Sequence, residues 1–390
     1  MLTSDQRVSE CNEFIGYALH QFPGQCERGL AKSITRCKRC IASPLFARIE
    51  DGLCELCRAG DSAVSAAGQA AADEDERAEL HGILQAACGR GPADYDALVM
   101  FSGGKDSTYL VHKLRADYPT LRILALTIDS GFASSVAMQH VSTVSASLDG
   151  VDSMVMRPHR DLFYRAFRHA LTHPKPGSCY LTIDLLDGEL TFDIGRNLAA
   201  SMSIPLFLAG TSPAQLRLLH KLDWFERPRD IMLARRTHTT GGYAVTELSK
   251  EDALHYWWDG TRWPAERVPR NILPYHAWGY DEQFIKSEVV RLGYIEEGFD
   301  NPLITNNTLI PLMVCIDITR LGYCGFEPEF ALLIRDGKAD RTLWRNLFDA
   351  AAHLAEKGQF LPKCVDDVLA QLDLSRDQLG IPHPRAPGFE

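Results

Sequence analysis

The most informative stretch of the sequence is Ala97-Leu98-Val99-Met100-Phe101-Ser102-Gly103-Gly104-Lys105-Asp106-Ser107-Thr108. Its apolar first part predicts a buried strand, and apolar residues at helical spacing after it predict a helix. A glycine-rich turn between the two gathers backbone N–H groups at the positive end of the helix and lets a ligand approach closely. The stretch therefore predicts a cradle for phosphate or pyrophosphate. Its polar side chains are Ser102, Lys105, Ser107 and Thr108.

The turn itself, residues 102–107 (the glycine loop), has neither the spacing of a Walker A loop nor the G-x-G-x-x-G of a dinucleotide fold. It resembles the PP-loop of the ATP pyrophosphatase superfamily. Those enzymes split ATP between the α and β phosphates and adenylate an oxygen of a second substrate. The resemblance implies ATP and Mg²⁺ as ligands of the loop from Ser102 through Gly103 and Gly104 to Thr108. It also implies catalytic roles for Lys105 and Asp106. An ordinary strand-to-helix turn is the alternative.

Three further apolar stretches, residues 121–128, 151–156 and 205–209, alternate with helical segments. This alternation predicts an α/β fold with a doubly wound parallel sheet, and such sheets bind ligands outside the carboxyl ends of their strands. Asp129 follows the second stretch and resembles the superfamily's second nucleotide-site signature, although a plain turn is also compatible with it. Gly210 follows the fourth stretch, where many relatives carry a glycine-led nucleotide contact.

The composition of the 390-residue chain narrows the function classes. A hydrophobic fraction of 45% supports a sizeable core, and a net charge of −10 argues against general nucleic-acid binding. The sequence shows neither an apolar run of membrane-spanning length nor a secretory signal pattern. We therefore expect a cytoplasmic protein without a membrane span.

Two C-x-x-C turns lie near the N-terminus, separated by thirteen residues. In a reducing compartment, this spacing favours four thiolates on one tetrahedral Zn²⁺ ion over disulfides. Because four thiolates leave no open coordination position, the ion is expected to be structural. Reduced core cysteines and an iron–sulfur cluster are the alternatives. The predicted ligands are Cys37, Cys40, Cys54 and Cys57.

The chain divides into five predicted segments. They are a helical extension (1–34), a zinc-ribbon-like four-cysteine module (35–60), a linker and helix (61–90), an ATP-binding domain (91–245) and a mostly helical substrate or partner region (246–390). Within the fourth segment, basic residues over 217–238 could hold an anionic substrate.

The cysteine module, the glycine loop and a tract over residues 333–338 occur in an order that resembles the N-acetyl sugar amidotransferase branch of the PP-loop enzymes. The likeness spans about residues 35–345, and this branch serves surface-polysaccharide biosynthesis. It implies an adenine-nucleotide alpha-hydrolase-like core that adenylates an amide or carbonyl oxygen. Ammonia then replaces the oxygen on an N-acetyl sugar or a related small metabolite. A separate glutaminase or ammonia-channel partner would deliver the ammonia.

Two other functions stay open on the sequence. Cys179 lies in a loop before a predicted helix, and a helix N-terminus lowers the pKa of a thiol. It could therefore carry sulfur, received from a donor protein, to a nucleobase or small metabolite, or it could be a packed small hydrophobic residue. The branch commonly has a second cysteine shortly afterwards, where this chain has Tyr180-Leu181-Thr182. The remaining alternative is an ATP-binding assembly protein without turnover.

Overall fold

The computed structural model describes residues 2–59, 66–90, 92, 94–159, 161–216, 226, 239–299, 301, 303 and 307–384, with the side chains of 66–73 left out. The chain forms two compact units. Unit 1 comprises Met1–Ser62, Phe167–Asp184 and Asn307–Glu390, and unit 2 comprises Ala63–Ala166 and Leu185–Asn306. Each unit is described by itself below. The predicted five-segment division stays a prediction.

The helices, numbered in chain order over the described residues, are α1 (Ser4–Gly16), α2 (Phe22–Glu27), α3 (Glu55–Arg58), α4 (Ala66–Ala87), α5 (Lys105–Asp117), α6 (Ser135–Ser147), α7 (Asp161–Thr172), α8 (Cys179–Ser201), α9 (Pro213–Gln215), α10 (Val245–Leu248), α11 (Tyr275–Trp278), α12 (Glu282–Arg291), α13 (Ile310–Leu321), α14 (Glu327–Arg335), α15 (Arg341–Ala355), α16 (Pro362–Leu372) and α17 (Arg376–Leu379). The strands are β1 (Ile49–Glu50), β2 (Leu53–Cys54), β3 (Ala97–Met100), β4 (Ile123–Ile128), β5 (Val151–Met156), β6 (Leu206–Leu208), β7 (Thr239–Thr240), β8 (Tyr243–Ala244) and β9 (Arg270–Ile272). A π-helical turn (Tyr17–Gln21) joins α1 to α2, and 3₁₀ turns lie at Glu251–Tyr256, Gly260–Arg262 and Ala265–Arg267.

Unit 2 is built on a five-stranded sheet with the order β5-β4-β3-β6-β9, in which every pair is parallel. The chain starts at the central strand β3, adds β4 and β5 on one side, and then places β6 and β9 on the other side. This reversal of direction confirms the predicted doubly wound α/β sheet. The carboxyl ends of β3 and β6 flank the reversal point, which is where such sheets bind their ligands.

The central strands are buried on both faces, as expected for a parallel sheet covered by helices. All four residues of β3 are buried, and Leu98 and Met100 pack with Leu126 of β4 and Phe207 of β6 in one core cluster. By contrast, β5 lies at the edge of the sheet and its four middle residues are exposed. The sequence identifies β5 as an apolar stretch without showing that it forms an edge.

Two features differ from the sequence-based expectation. The sequence predicts four strands in this sheet, whereas β9 is a fifth, since Arg270-Asn271-Ile272 has no apolar run and pairs with β6 from a distance in sequence. Helix α4 begins at Ala66, whereas the sequence predicts a linker over residues 59–75 and a helix only from about Asp75. Alanine, which dominates this stretch, has the highest intrinsic helix propensity.

Unit 1 consists of a small cysteine-bearing hairpin and a helical region formed by both ends of the chain. Phe14 of α1 contacts the ring of Phe360 edge-on, with 4.9 Å between centroids. The Glu10 carboxylate accepts the backbone N–H groups of Lys363 and Cys364 at 2.9 and 2.8 Å and so caps the start of α16. Helices α13 to α17 confirm the predicted mostly helical C-terminal region. None of the helices in the described ranges has the length and apolar character to cross a bilayer.

Candidate functional site

The glycine loop connects the carboxyl end of β3 to the N-terminus of α5, as the sequence predicts. Gly104 is the N-cap residue of α5, so the N-cap residue makes no side-chain hydrogen bond to this helix end. The first N–H groups of a helix have no partner within the helix, and they form a site of positive potential. The backbone of Lys105, Asp106 and Ser107 therefore presents donors at the reversal point of the sheet, which suits a phosphate group.

Position 103 of this loop can be occupied only by glycine. Its φ is +76°, and a Cβ atom at this position would lie 2.1 Å from the carbonyl oxygen of Ala137 on α6. On the same helix, His140 approaches the Gly103 carbonyl with its Nδ1 at 3.1 Å. Since a carbonyl only accepts, His140 Nδ1 carries the proton. Burial lowers the pKa of His140 against the opposing effect of this hydrogen bond, so the imidazole is held neutral.

Two serine hydroxyls hold the loop in shape. Ser107 Oγ accepts the backbone N–H of Ser102 at 3.1 Å and donates to the Gly104 carbonyl at 3.1 Å. The hydroxyls of Ser102 and Ser107 are also 3.1 Å apart. Thr108 is completely buried, and its hydroxyl has no hydrogen-bond partner among the residues that the structure describes.

Lys105 and Asp106 form a charged pair at the start of α5, with 2.8 Å between Lys105 Nζ and Asp106 Oδ2. Tyr280 donates its hydroxyl to the other carboxylate oxygen, Oδ1, at 2.9 Å, and Tyr275 donates to the Asp106 backbone carbonyl at 2.6 Å. The buried Glu282 carboxylate lies 3.9 Å from Lys105 Nζ. Both side chains are therefore fixed in direction by the segment that contains α11 and the start of α12.

Asp129 directly follows β4 and so lies at the carboxyl end of that strand. One of its carboxylate oxygens accepts the Gly131 N–H at 2.9 Å, and the other accepts Arg157 Nε at 2.8 Å. Arg157 follows β5 and its side chain is largely exposed. Asp129 is thus an oriented carboxylate beside a guanidinium that remains open to solvent.

Gly210 follows β6 and lies against the start of α5. A Cβ on Gly210 would lie 3.3 Å from the carbonyl carbon and oxygen of Asp106 and 3.4 Å from Ser107 Cα. Only a residue without a side chain fits here comfortably, so Gly210 belongs to the wall of the glycine loop. The predicted nucleotide residues of unit 2 all lie at the carboxyl ends of the strands. They are residues 102–108, Asp129 and Gly210.

The arrangement can bind an anionic ligand and place a cation next to it. The N–H groups at the start of α5 and the Lys105 ammonium are suited to phosphate oxygens, and the carboxylates of Asp106 and Asp129 are ligands of the type that Mg²⁺ prefers. The absence of a Cβ at Gly103 and Gly104 leaves the backbone accessible. The residues present therefore fit both a triphosphate and Mg²⁺.

The four predicted metal ligands form a separate site in unit 1. Strands β1 and β2 make an antiparallel hairpin, and the Sγ atoms of the four cysteines all lie within 4.8 Å of one another. All four are buried. The backbone N–H groups of Ala42, Cys54 and Cys57 donate to the sulfurs of Cys40, Cys37 and Cys54 at 3.4, 3.3 and 3.4 Å. This is a donor set for a thiophilic metal ion.

The electrostatics of the cluster are those of a site that needs a cation. Burial opposes ionisation of Cys37, but hydrogen bonds from the backbone at Cys40, Cys54 and Arg39 prevail and lower its pKa to about 6. Burial and the neighbouring thiols raise the pKa of Cys57 to about 11, and burial likewise raises the pKa of Cys40. One thiolate is therefore favoured, and a divalent cation would allow the others to ionise.

Cys179 begins helix α8, as expected, but it does not have the environment of a reactive thiol. Its backbone N–H donates to the buried Asp317 carboxylate, which also accepts the Ser178 hydroxyl at 2.6 Å. Burial first, and then the Asp317 charge, raise the pKa of Cys179. The expected lowering of this pKa is wrong, because burial outweighs the helix N-terminus. Cys179 also belongs to unit 1, whereas the glycine loop belongs to unit 2.

The sequence did not identify several residues around the loop, namely His140, Arg157, Tyr275, Tyr280 and Glu282. Each is brought there by folding over a long sequence separation. The only local signal is the pair of tyrosines preceding the predicted helix at Asp281, whose carboxylate caps α12 at Phe284 N. The basic positions over 217–225 and 227–238 lie outside the described residues.

No family model and no curated protein matches the chain. Among solved structures, it is similar to the NH₃-dependent NAD synthetase from Campylobacter jejuni, with a TM-score of 0.27 and 10% identity over 37% of this chain and 58% of that one. It is similar to the U34-tRNA thiolase NcsA from Methanococcus maripaludis, which has a 4Fe–4S cluster, with a TM-score of 0.31 and 10% identity over 88% and 90% of the two chains. It is also similar to NMN synthetase from Francisella tularensis, with a TM-score of 0.27 and 13% identity over 81% and 99%. At these TM-scores, the likenesses carry no argument about function.

Proposed function

We propose that the protein is an ATP-dependent, AMP-forming enzyme of the PP-loop class. The observation that carries this proposal is the glycine loop at the reversal point of the sheet. There, Gly103 is confined to a positive φ, the N-cap residue of α5 is a glycine, and Lys105 and Asp106 are held in fixed directions. A plain strand-to-helix turn needs none of these features.

In the proposed reaction, an amide or carbonyl oxygen of the acceptor attacks the α-phosphorus of ATP, and pyrophosphate leaves. The N–H groups of α5 and the Lys105 ammonium stabilise the charge that develops on the leaving pyrophosphate. Mg²⁺, held by the Asp106 carboxylate, would supply further charge to the same oxygens. The nucleophile then adds to the adenylated carbon and AMP leaves.

We further propose that the nucleophile is ammonia. The alternative thiolation needs an ionised cysteine, and the candidate Cys179 is buried with a raised pKa. Its main-chain bond to Asp317 gives it a structural task instead. With ammonia as nucleophile, the acceptor would be an N-acetyl sugar or related metabolite and a separate glutaminase would be the partner. The reaction would take place in the cytoplasm.

The first test uses ATP alone, so it does not depend on knowing the acceptor. Calorimetric titration of the full chain with MgATP is expected to show one site, and Asp106→Asn is expected to weaken it without changing the thermal unfolding temperature. Absence of ATP binding by the folded wild-type protein would refute the proposal.

A second test separates nitrogen from sulfur. The protein is incubated with ATP, ammonium and N-acetyl sugar nucleotides, and the nucleotide products are separated by chromatography. We expect AMP and pyrophosphate rather than ADP, and a Cys179→Ser variant that keeps this activity. A product whose mass corresponds to oxygen replaced by sulfur, and which is lost in Cys179→Ser, would contradict the choice of ammonia.

For the cysteine cluster we propose one structural Zn²⁺ ion. A 4Fe–4S cluster holds its four thiolates on four different iron ions, further apart than a single ion would. The mutual approach of all four sulfurs to within 4.8 Å supports a single ion. Elemental analysis of anaerobically purified protein is expected to find zinc at one per chain, and iron at four per chain would refute this.

A further inference from the structure

Arg341, the first residue of α15, contacts the backbone of the cysteine cluster. Its Nε donates to the Cys40 carbonyl and its Nη2 donates to the Cys37 carbonyl, both at 2.9 Å. One guanidinium thus bridges the two cysteines of the first C-x-x-C turn. The fork geometry of arginine allows this two-point attachment, which lysine cannot reproduce.

The position is unfavourable for a cation in other respects. The N-terminus of a helix carries a partial positive charge, so a cation in the first turn is destabilising there. The helix already has its N-cap, since Asp340 accepts the Leu343 N–H at 2.6 Å. Capping therefore does not explain the arginine at position 341.

Charge balance around the cluster gives a reason for it. Four thiolates and one divalent ion carry a net charge of about −2, and this charge would lie among buried residues. Among the guanidinium groups near the cluster, that of Arg36 is already matched by the buried carboxylates of Glu327 and Asp349, and those of Arg48 and Arg58 pair with Glu50. Arg341 forms no ion pair with any carboxylate in the described part of the chain. Its charge is available to the cluster.

We infer that Arg341 is a positioning residue of the metal site, which fixes the first C-x-x-C turn and compensates the negative charge of the loaded cluster. It does so from α15, so metal binding and the packing of the C-terminal helices stabilise each other. This inference rests on the proposed single metal ion but not on the ATP chemistry. A metal-release measurement therefore tests it even if the protein uses no ATP.

The test compares Arg341→Gln with Arg335→Gln. Arg335 lies on α14 of the same unit, and among the described residues its guanidinium pairs with Asp336 alone, so it controls for the loss of one positive charge. Zinc-loaded full-length proteins are challenged with a colorimetric chelator, and release is followed by absorbance. We expect release from Arg341→Gln to be about 10-fold faster than from the wild type or more, the usual effect of losing a partner outside the ligand shell. The inference would be overturned if Arg341→Gln released zinc at the wild-type rate, or if Arg335→Gln released it as fast as Arg341→Gln.

If Arg341→Gln does not fold, the wild-type protein provides a second measurement. Hydrogen exchange of the full chain is followed by mass spectrometry before and after zinc is removed. We expect faster exchange in both the hairpin and α15, with no change in α5 of the other unit. Faster exchange confined to residues 35–58 would show that the metal does not act on the C-terminal helices and would overturn the inference.

Discussion

Replacing Gly103 by alanine tests the geometry on which the nucleotide site depends. The new Cβ would lie 2.1 Å from the Ala137 carbonyl oxygen, and the residue would have to keep a φ of +76°. The clash is with the backbone of a helix, because the Ala137 carbonyl is part of α6. A side-chain movement cannot relieve it.

Two contributions set the size of the effect. The left-handed conformation costs about 1–2 kcal/mol for a residue other than glycine. The overlap with the carbonyl forces a backbone shift that adds about 1–3 kcal/mol. For a unit of this size, each kcal/mol lowers the unfolding temperature by roughly 2–4 °C, so a decrease on the order of 10 °C follows.

Gly104 supplies the matched control. Its φ is −79°, and a Cβ there would meet only Ser102 Oγ at 3.5 Å, an ordinary contact. Gly104→Ala is therefore expected to cost less than about 1 kcal/mol, the usual penalty for alanine at an N-cap position. Differential scanning calorimetry without nucleotide compares the two variants, and a MgATP titration then follows.

We expect Gly103→Ala to lose both stability and ATP binding, whereas Gly104→Ala lowers the unfolding temperature by less than about 4 °C. A Gly103→Ala protein that unfolds at the wild-type temperature would contradict this prediction. Identical losses in both variants would contradict it equally, because the contact with Ala137 would then have no specific effect.

Two further predictions concern Tyr280 and Asp317. Tyr280→Phe removes the hydroxyl that orients Asp106 and is expected to lower kcat/KM for ATP about 10-fold, since a hydrogen bond to a charged group contributes about 1.5–3 kcal/mol. Tyr294→Phe, whose hydroxyl meets His112 further along α5, should leave kcat/KM unchanged, and equal effects of the two substitutions would contradict the prediction. Burial raises the pKa of Asp317 from 3.8 to about 6 against hydrogen bonds from Ser178 and the backbone of Tyr180 and Cys179. Between these two pH values the native state binds a proton that the unfolded state has lost. The free energy of unfolding of the wild type, measured in urea, should therefore fall relative to that of Asp317→Asn by up to about 3 kcal/mol as the pH rises from 3.8 to about 6. A difference between the two proteins that does not change with pH would contradict this prediction.

The parts of the fold that could be predicted from sequence are those fixed by local chemistry. The buried run of β3, the glycine turn and the helical spacing after it lie within one short stretch, so their order follows without tertiary information. The two C-x-x-C turns similarly predict that their four cysteines share one metal site. Strand β9 could not be predicted, because its three residues become a strand only by pairing with β6.

The surroundings of the site depend on contacts that no local pattern shows. Tyr280 reaches Asp106 across 174 residues, and Asp317 meets Cys179 across 138. The helix start at Cys179 was predictable from its loop, whereas the burial that raises the pKa of its thiol was not. The pKa direction predicted from the helix terminus alone was therefore wrong at this buried residue.

The bridge from Arg341 to the first C-x-x-C turn also has a consequence for biosynthesis. Arg341 and Cys37 are 304 residues apart, so the cysteine hairpin leaves the ribosome long before its anchoring helix exists. At about 5–20 residues per second, this interval is on the order of 15–60 s. During that time the thiols depend on the metal supply and the reducing state of the cell rather than on their own protein. If the proposed ion binds the hairpin during this interval, metal capture precedes the contact between Arg341 and the first C-x-x-C turn.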